Sequence, residues 1–266
     1  MSKWTEDFAA LAPWVTSFEV EGRRLGGSYD AVGDARLAAF FRRFPSPGRV
    51  LELGCLEGGH TLAIARAAIE VVAVDARPEN ISKARLMQRV YGAGNVRFVE
   101  ADLDALDPAE LGAFDVAFNV GLLYHLAAPW RLLAGLASSC RAMFLWTHVA
   151  RSVVWGVRRG GYRGRLYREG GFADPLSGLS PRSFWPTQKE LLRMIRDAGF
   201  GEIEILDLDH SHPHGPAVLL TCRSLHFGEG PLAPLNRDGA CGSLRRESRS
   251  RGRGELRGAR PGAQSR

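Results

Sequence analysis

The sequence predicts an α/β protein built on a doubly wound, mostly parallel sheet with helices on both faces. Three observations carry this. Short apolar runs alternate with helix-patterned segments from residue 49 to 150, the order that builds parallel βαβ units. The first run ends in a glycine-bearing loop, residues 54–59. Two last apolar runs are separated by a short Pro/His/Gly loop, as in a hairpin, so the terminal pair supplies one antiparallel member.

The elements follow in order. VLELG at 50–54 comes after a Pro-Ser-Pro-Gly break and reads as a buried strand. Helical spacing of Leu62, Ile64, Ala65 and Ala68 predicts a helix over 60–69. Val71 to Val74 is a second strand ending at Asp75. Pro78 opens a helix that runs to about Tyr91, where Gly92 and Gly94 break it. Strands follow at 96–99, 114–118 and 142–147, with a helix at 129–137. Thr187 is placed to cap a helix through Ala198, and Ile203–Leu208 and Ala217–Cys222 are the final strands. Residues 1–48 are expected to supply a helix near 34–44 and an N-terminal cover. Residues 150–186, rich in Gly, Arg and aromatics such as Trp155, form an insertion at the carboxyl edge of the sheet, where ligands bind in open α/β folds. The core domain is thus expected at 49–227.

Composition narrows the class. With 45% apolar and 24% charged residues the chain is globular. Its net charge of +6 sits wholly in residues 231–266, which carry nine Arg against Asp238, Glu247 and Glu255. Residues 1–230 are neutral, so the basic balance does not describe a nucleic-acid-binding face of the fold. Residues 228–266, poor in apolar side chains, are expected to be a disordered Arg-rich tail. Charges interrupt every long apolar run, so no membrane span is expected. The N-terminus lacks a basic start and apolar block, so a cytoplasmic location is expected. Cys55, Cys140, Cys222 and Cys241 show no CxxC spacing, which fits reduced structural thiols.

Polar groups at successive strand ends carry the chemistry. Glu52 precedes Gly54, and a carboxylate there suits a cationic ligand better than a pyrophosphate. Gly54 and Gly58 let a ligand approach the backbone closely. Asp75 lies 21 residues after Gly54, where an acid can accept from both ribose hydroxyls. Asp102 follows the third strand and can accept from an adenine amino group. Asn119 ends the fourth. Together they suit a nucleoside with an amino-acid-like part, S-adenosylmethionine. The glycines at 54, 58 and 59 fail the G-x-G-x-x-G spacing of an NAD site.

The segments VLELGCLEGGH, VVAVD and FDVAFNVGLLYHL resemble the successive motifs of class I S-adenosylmethionine-dependent methyltransferases. The resemblance covers residues 48–148 and extends through FWPT and the last two strands. It implies a Rossmann-like, seven-stranded sheet with the last strand antiparallel. It further implies that Glu52 and the loop of Gly54, Cys55, Leu56 and Gly58 hold the methionine part, Asp75 and Ala76 the ribose side, and Asp102 and Leu103 the adenine. The usual loop has glycine where this chain has Leu56. LEGGH, LYH and FWPT are similar to a bacterial subgroup of these enzymes and, more distantly, to tRNA wobble-uridine carboxymethyl-transfer enzymes.

Methyl transfer to a hydroxyl needs a base, and His is the readiest near neutral pH. His125 and His148 follow neighbouring strands and are the candidate bases, with Tyr124 to orient an acceptor. His60, beside the cofactor loop, is a candidate for cofactor contact. His210, His212 and His214 lack a ligand cluster around them, and no metal site is expected. Arg163, Arg165 and Arg168 with Tyr162 and Tyr167 are candidates for acceptor recognition. The expected acceptor is a small-molecule hydroxyl. Alkyl transfer to tRNA and non-catalytic cofactor binding are the alternatives, and nucleic acid is a less favoured partner.

Overall fold

A computed structural model describes residues 3–151 and 156–227. Trp155 and the expected tail, residues 228–266, lie outside the described residues. The elements in chain order are α1 (Lys3–Ala10), β1 (Ser17–Val20), β2 (Arg23–Gly26), α2 (Ala35–Arg43), β3 (Arg49–Leu53), α3 (Gly59–Ala65), β4 (Glu70–Asp75), α4 (Pro78–Tyr91) and β5 (Val96–Glu100). They continue with β6 (Phe114–Val120), α5 (Pro129–Ser139), β7 (Cys140–His148), β8 (Val157–Arg159), β9 (Tyr162–Arg168), β10 (Arg182–Pro186), α6 (Gln188–Asp197), β11 (Phe200–Asp209) and β12 (Ala217–Ser224).

The main sheet has seven strands in the order β11-β12-β7-β6-β3-β4-β5. β12, the last strand, runs antiparallel to both neighbours, and the pairs among β7, β6, β3, β4 and β5 are parallel. The expected sheet is therefore the observed one. Val50, Leu51 and Leu53 are essentially inaccessible, because a parallel strand inside the sheet is covered on both faces. One face packs Leu51, Val72, Met143 and Leu145 against Leu133 and Leu136 of α5 and Leu191 of α6. The other packs Val50, Val71, Phe118 and Phe144 against Phe40 of α2, Ile64 of α3 and Ile81 of α4. Phe40 meets Phe118 and Phe144 edge-on at 5.0 and 5.4 Å, the geometry aromatic pairs prefer.

Local signals set the helix ends. Asp34 caps α2 by accepting from the Arg36 N–H, and Thr187 caps α6 by accepting from the Glu190 N–H. Pro78 starts α4, and Gly92, at φ +66, ends it. α3 stops at Ala65, short of the expected 69. The Ile69 and Glu70 N–H groups both turn to the Gly48 carbonyl, which draws the chain into β4.

Two regions hold more structure than the sequence reading expected. Before β3, α1 and the β1–β2 hairpin bury Phe18 and Val20 against Leu62 and Met87. Glu57, fully buried, binds this segment to the loop after β3. It accepts from the Val15 and Thr16 N–H groups and from Lys83 Nζ at 2.8 Å. Within 150–186, β10, β9 and β8 form an antiparallel sheet in that order. Tyr162, Gly164 and Leu166 face inward while Arg163 and Arg165 are exposed. That alternation is the strand signal within YRGRLYR.

Candidate active site

The strand order reverses between β3 and β6, and a crevice opens outside the carboxyl ends there. It holds a cavity of about 300 Å³, at the small end of ligand pockets. Of the expected site residues, Gly54, Cys55, Leu56, His60, Asp75, Ala76, Asp102, Leu103, Tyr124 and His125 line it. Glu52, Gly58, Asn119 and His148 lie outside that lining.

The loop after β3 is anchored to β4. Gly54 and Cys55 donate to the Val74 carbonyl. Gly54, at φ +75, faces Leu122 so closely that an added Cβ would come within 3.2 Å of it. Leu56 occupies the position where glycine is usual, and it does so at φ +50. Its N–H donates to Asp75 Oδ2 at 2.9 Å. Asp75 Oδ1 accepts from the Arg77 N–H and from Asn80 Nδ2. Burial nonetheless lifts the Asp75 carboxyl above its ordinary range. Cys55 is a buried thiol, pushed well upward by burial and by the Asp75 and Glu52 charges, and so is not a nucleophile. Asp102 is exposed at the cavity wall and accepts from the Asp104 N–H.

Unpartnered polar atoms gather around this edge of the sheet. They are Thr16 Oγ1, Glu52 Oε2, Thr61 Oγ1 and both amide atoms of Asn119, all buried. Thr61 eases the Glu52 carboxyl without reaching it in hydrogen-bond geometry. Burial, with the Asp75 charge adding to it, pushes Glu52 up to about 8. Each buried group left unpaired costs about 1–3 kcal/mol. Of these, Thr16 lines the cavity, and Glu52, Thr61 and Asn119 lie behind its lining.

A polar network that the sequence reading missed closes one end. Asp34 Oδ2 accepts from the Tyr29 hydroxyl at 2.8 Å and meets His60 Nε2 at 3.1 Å. The Arg36 guanidinium forks onto the same carboxylate. Burial works against the Asp34 charge, yet the His60 and Arg36 hydrogen bonds hold its carboxyl far below the ordinary range. Arg36 also lies over the Trp146 ring at 4.4 Å. Tyr29, Arg36 and His60 all line the cavity. Asp34 read as a helix start alone, because its partners lie at other points of the chain.

The two candidate bases part company. His125 Nδ1 lies 3.0 Å from Glu169 Oε2. Burial opposes the Glu169 charge, but hydrogen bonds from His125 and Ser177 bring its carboxyl down to about 2. A carboxylate only accepts, so His125 Nδ1 carries a proton, and in the neutral imidazole Nε2 is the free lone pair. His148 is 3% exposed. Its Nδ1 donates to the Gly215 carbonyl at 3.0 Å, and its ring stacks on Trp185. Burial lowers it to about 4, so it stays neutral near pH 7. Both imidazoles touch the Tyr124 ring, with centroids 4.2 and 4.6 Å away. Burial raises the Tyr124 hydroxyl to about 12, which makes it a hydrogen-bond donor near neutral pH.

The insertion divides as well. Tyr162 turns to the core and donates to Asp197, away from the cavity. Tyr167 stacks on Trp185 at 3.9 Å. Pro175 to Leu179 form a wall of the cavity, a part for which the sequence carried no signal. The arrangement suits a nucleoside with a cationic end, set beside an imidazole free to take a proton.

A family model described as "Methyltransferase domain" matches residues 50–142. The crystal structure of the N-terminal domain of EvdMO1 in the presence of SAH and D-fucose is 35% identical to this chain. It matches over 84% of this chain and 98% of that one, with a TM-score of 0.76. A tRNA U34 carboxymethyltransferase of Methylococcus capsulatus is 30% identical over 60% of this chain and 47% of its own length. A 23S rRNA (uracil(1939)-C(5))-methyltransferase of Shewanella sp. is 36% identical over 27% of this chain. The chain spans 19% of that last relative's length, and so less than half of either curated relative.

Proposed function

The chain belongs to the class I S-adenosylmethionine-dependent methyltransferases, and on that premise we propose that it methylates a hydroxyl of a small molecule, with a sugar as the first candidate. S-adenosylmethionine is its cofactor, and when bound it supplies an electrophilic methyl carbon on a sulfonium sulfur. Asp75 is placed to accept from the ribose hydroxyls once Leu56 and Arg77 share it. Asp102, exposed at the wall, is placed for the adenine edge. Glu52, buried behind the loop with Oε2 unpartnered, gives up its proton when the cationic end binds and then supplies negative charge to it.

The observation that carries the reaction type is His125 on the cavity wall with Glu169 behind it on Nδ1. Glu169 fixes the imidazole with Nδ1 protonated. Nε2 then takes the hydroxyl proton as the acceptor oxygen bonds to the methyl carbon, whose bond to sulfur would break with its electron pair left on a neutral thioether, and the proton passes from Nε2 to solvent. Tyr124, a donor between His125 and His148, orients the acceptor. General-base assistance of this kind is worth about 10²–10⁴-fold. His148, outside the cavity lining, supports the Tyr124 ring.

The sugar rests on EvdMO1, whose N-terminal domain was crystallised with D-fucose and is similar over most of this chain. Incubating the protein and cofactor with D-fucose and related hexoses, then reading products by mass spectrometry and NMR, tests it. An O-methyl sugar is expected. Methyl transfer to an amine, and to no hydroxyl in the panel, would overturn it.

A second reading, alkyl transfer to tRNA, has one observation in its favour. Arg158, Arg163 and Arg165 stand exposed on one face of the small sheet, with Tyr167 and the buried Trp185 on the same face beside Arg165. Phosphate contacts by these residues would make RNA binding fall steeply with salt. Weak, salt-insensitive RNA binding would remove the reading.

A further inference from the structure

One oxygen joins the candidate base to the wall of the cofactor cavity. Glu169 Oε2 meets His125 Nδ1 at 3.0 Å, and it also accepts from Ser177 Oγ at 2.6 Å and the Gly178 N–H at 2.7 Å. Ser177 and Gly178 belong to the stretch 171–179, of which Pro175 to Leu179 line the cavity. On its other side this stretch is held by Arg77, two residues beyond Asp75. The buried guanidinium donates to the carbonyls of Gly171, Phe172, Asp174 and Ser177 at 2.8–2.9 Å. Apolar burial contributes little here, since Phe172 and Leu176 are 63% and 57% exposed. A segment held mainly by hydrogen bonds, with Phe172 and Leu176 largely in water and Leu179 only half-buried, opens at low free energy.

We propose that Glu169 is a positioning residue that couples closure of the 171–179 stretch over the cofactor to the orientation of His125. Closed, the stretch brings Ser177 and Gly178 onto Glu169 and holds its carboxylate against His125 Nδ1. Open, Glu169 loses two of its three partners and His125 loses a fixed proton position. Arg77 links the other end of the stretch to the ribose side of the cavity. The acceptor base is therefore assembled after the cofactor binds, and the cofactor binds first. This rests on the reading of His125 as the base.

The test needs no acceptor. Histidine is labelled with ¹⁵N, and long-range proton–nitrogen spectra report each imidazole's tautomer, with His125→Gln identifying the His125 signals. S-adenosylhomocysteine is the probe. In the wild type its binding is expected to move His125 to a single form with Nδ1 protonated. Arg77→Met, which touches neither His125 nor Glu169, is expected to weaken the probe roughly tenfold. It should also leave His125 in mixed tautomers at saturation. Ser177→Ala, a milder change, should act in the same direction. The remaining imidazole signals report whether each variant is folded. If Arg77→Met and Ser177→Ala weaken the probe but leave His125 as in the wild type, the coupling is overturned while the cofactor site stands. If the wild type binds no probe, the site reading itself fails.

Discussion

Glu52 shows what one side chain does at this site. Its carboxyl rises from the ordinary 4.5 to about 8 in the folded chain. The protonated form is thus favoured by folding. That stability is complete below pH 4.5 and is lost as the pH climbs through 8. Glu52→Gln should flatten the dependence of the melting temperature over this window without cofactor. A cation arriving nearby pulls the proton off, so S-adenosylmethionine should bind more tightly as the pH rises from 6 to 8. Calorimetry at pH 7 in buffers of different ionisation enthalpy should register proton release. An equal release in Glu52→Gln would assign it elsewhere, Asp75 first. Leu56 offers a second residue-scale prediction. A left-handed backbone costs a residue with a Cβ roughly 1–2 kcal/mol, so Leu56→Gly should be more stable than Leu56→Ala by about 1 kcal/mol. Equal melting temperatures would contradict the φ of +50.

Elements decide which of these groups were legible in the sequence. Strands β3, β4 and β6 announce themselves as apolar runs, and chemistry at a strand's end inherits that clarity, as at Asp75 and Asn119. Arg77 did not read as a site residue because its partners are main-chain carbonyls of 171–177, and Glu169 did not because His125 lies 44 residues away in the chain. The small sheet was hidden because the inward positions of β9 are only Tyr162, Gly164 and the half-buried Leu166, too few apolar side chains to mark a strand. His125 and His148 looked equivalent in sequence, one after each of two neighbouring strands. They differ only in what the insertion and the β11–β12 turn place against them. At α2, Asp34 joins a helix cap to the His60–Arg36 network. Removing a buried, paired charge costs about 3–5 kcal/mol. Asp34→Ala should therefore lower stability by a comparable amount, read by urea denaturation. A loss under 1 kcal/mol would show the network to be superficial.

At the scale of the molecule, a sheet built by βαβ alternation brings strand ends, the N-terminal segment and the insertion to one crevice. The candidate cofactor groups come from the ends of β3 to β5 and the candidate base from the loop after β6. Glu57 and Lys83 fasten the N-terminal segment, Glu169 and Arg77 each hold the 171–179 stretch, and both added segments line the cavity. Among the described residues no helix is long and apolar enough to cross a membrane. The excess positive charge lies in residues 231–266, so deleting 231–266 should leave cofactor affinity unchanged while weakening nonspecific RNA binding. The central claim is that this cavity performs base-assisted methyl transfer from S-adenosylmethionine to a hydroxyl through His125. The most direct measurement compares wild type and His125→Ala for turnover on the sugar that accepts methyl, with S-adenosylhomocysteine affinity measured on both. Turnover is expected to fall about 10²–10⁴-fold with affinity unchanged. Normal turnover in His125→Ala would contradict it.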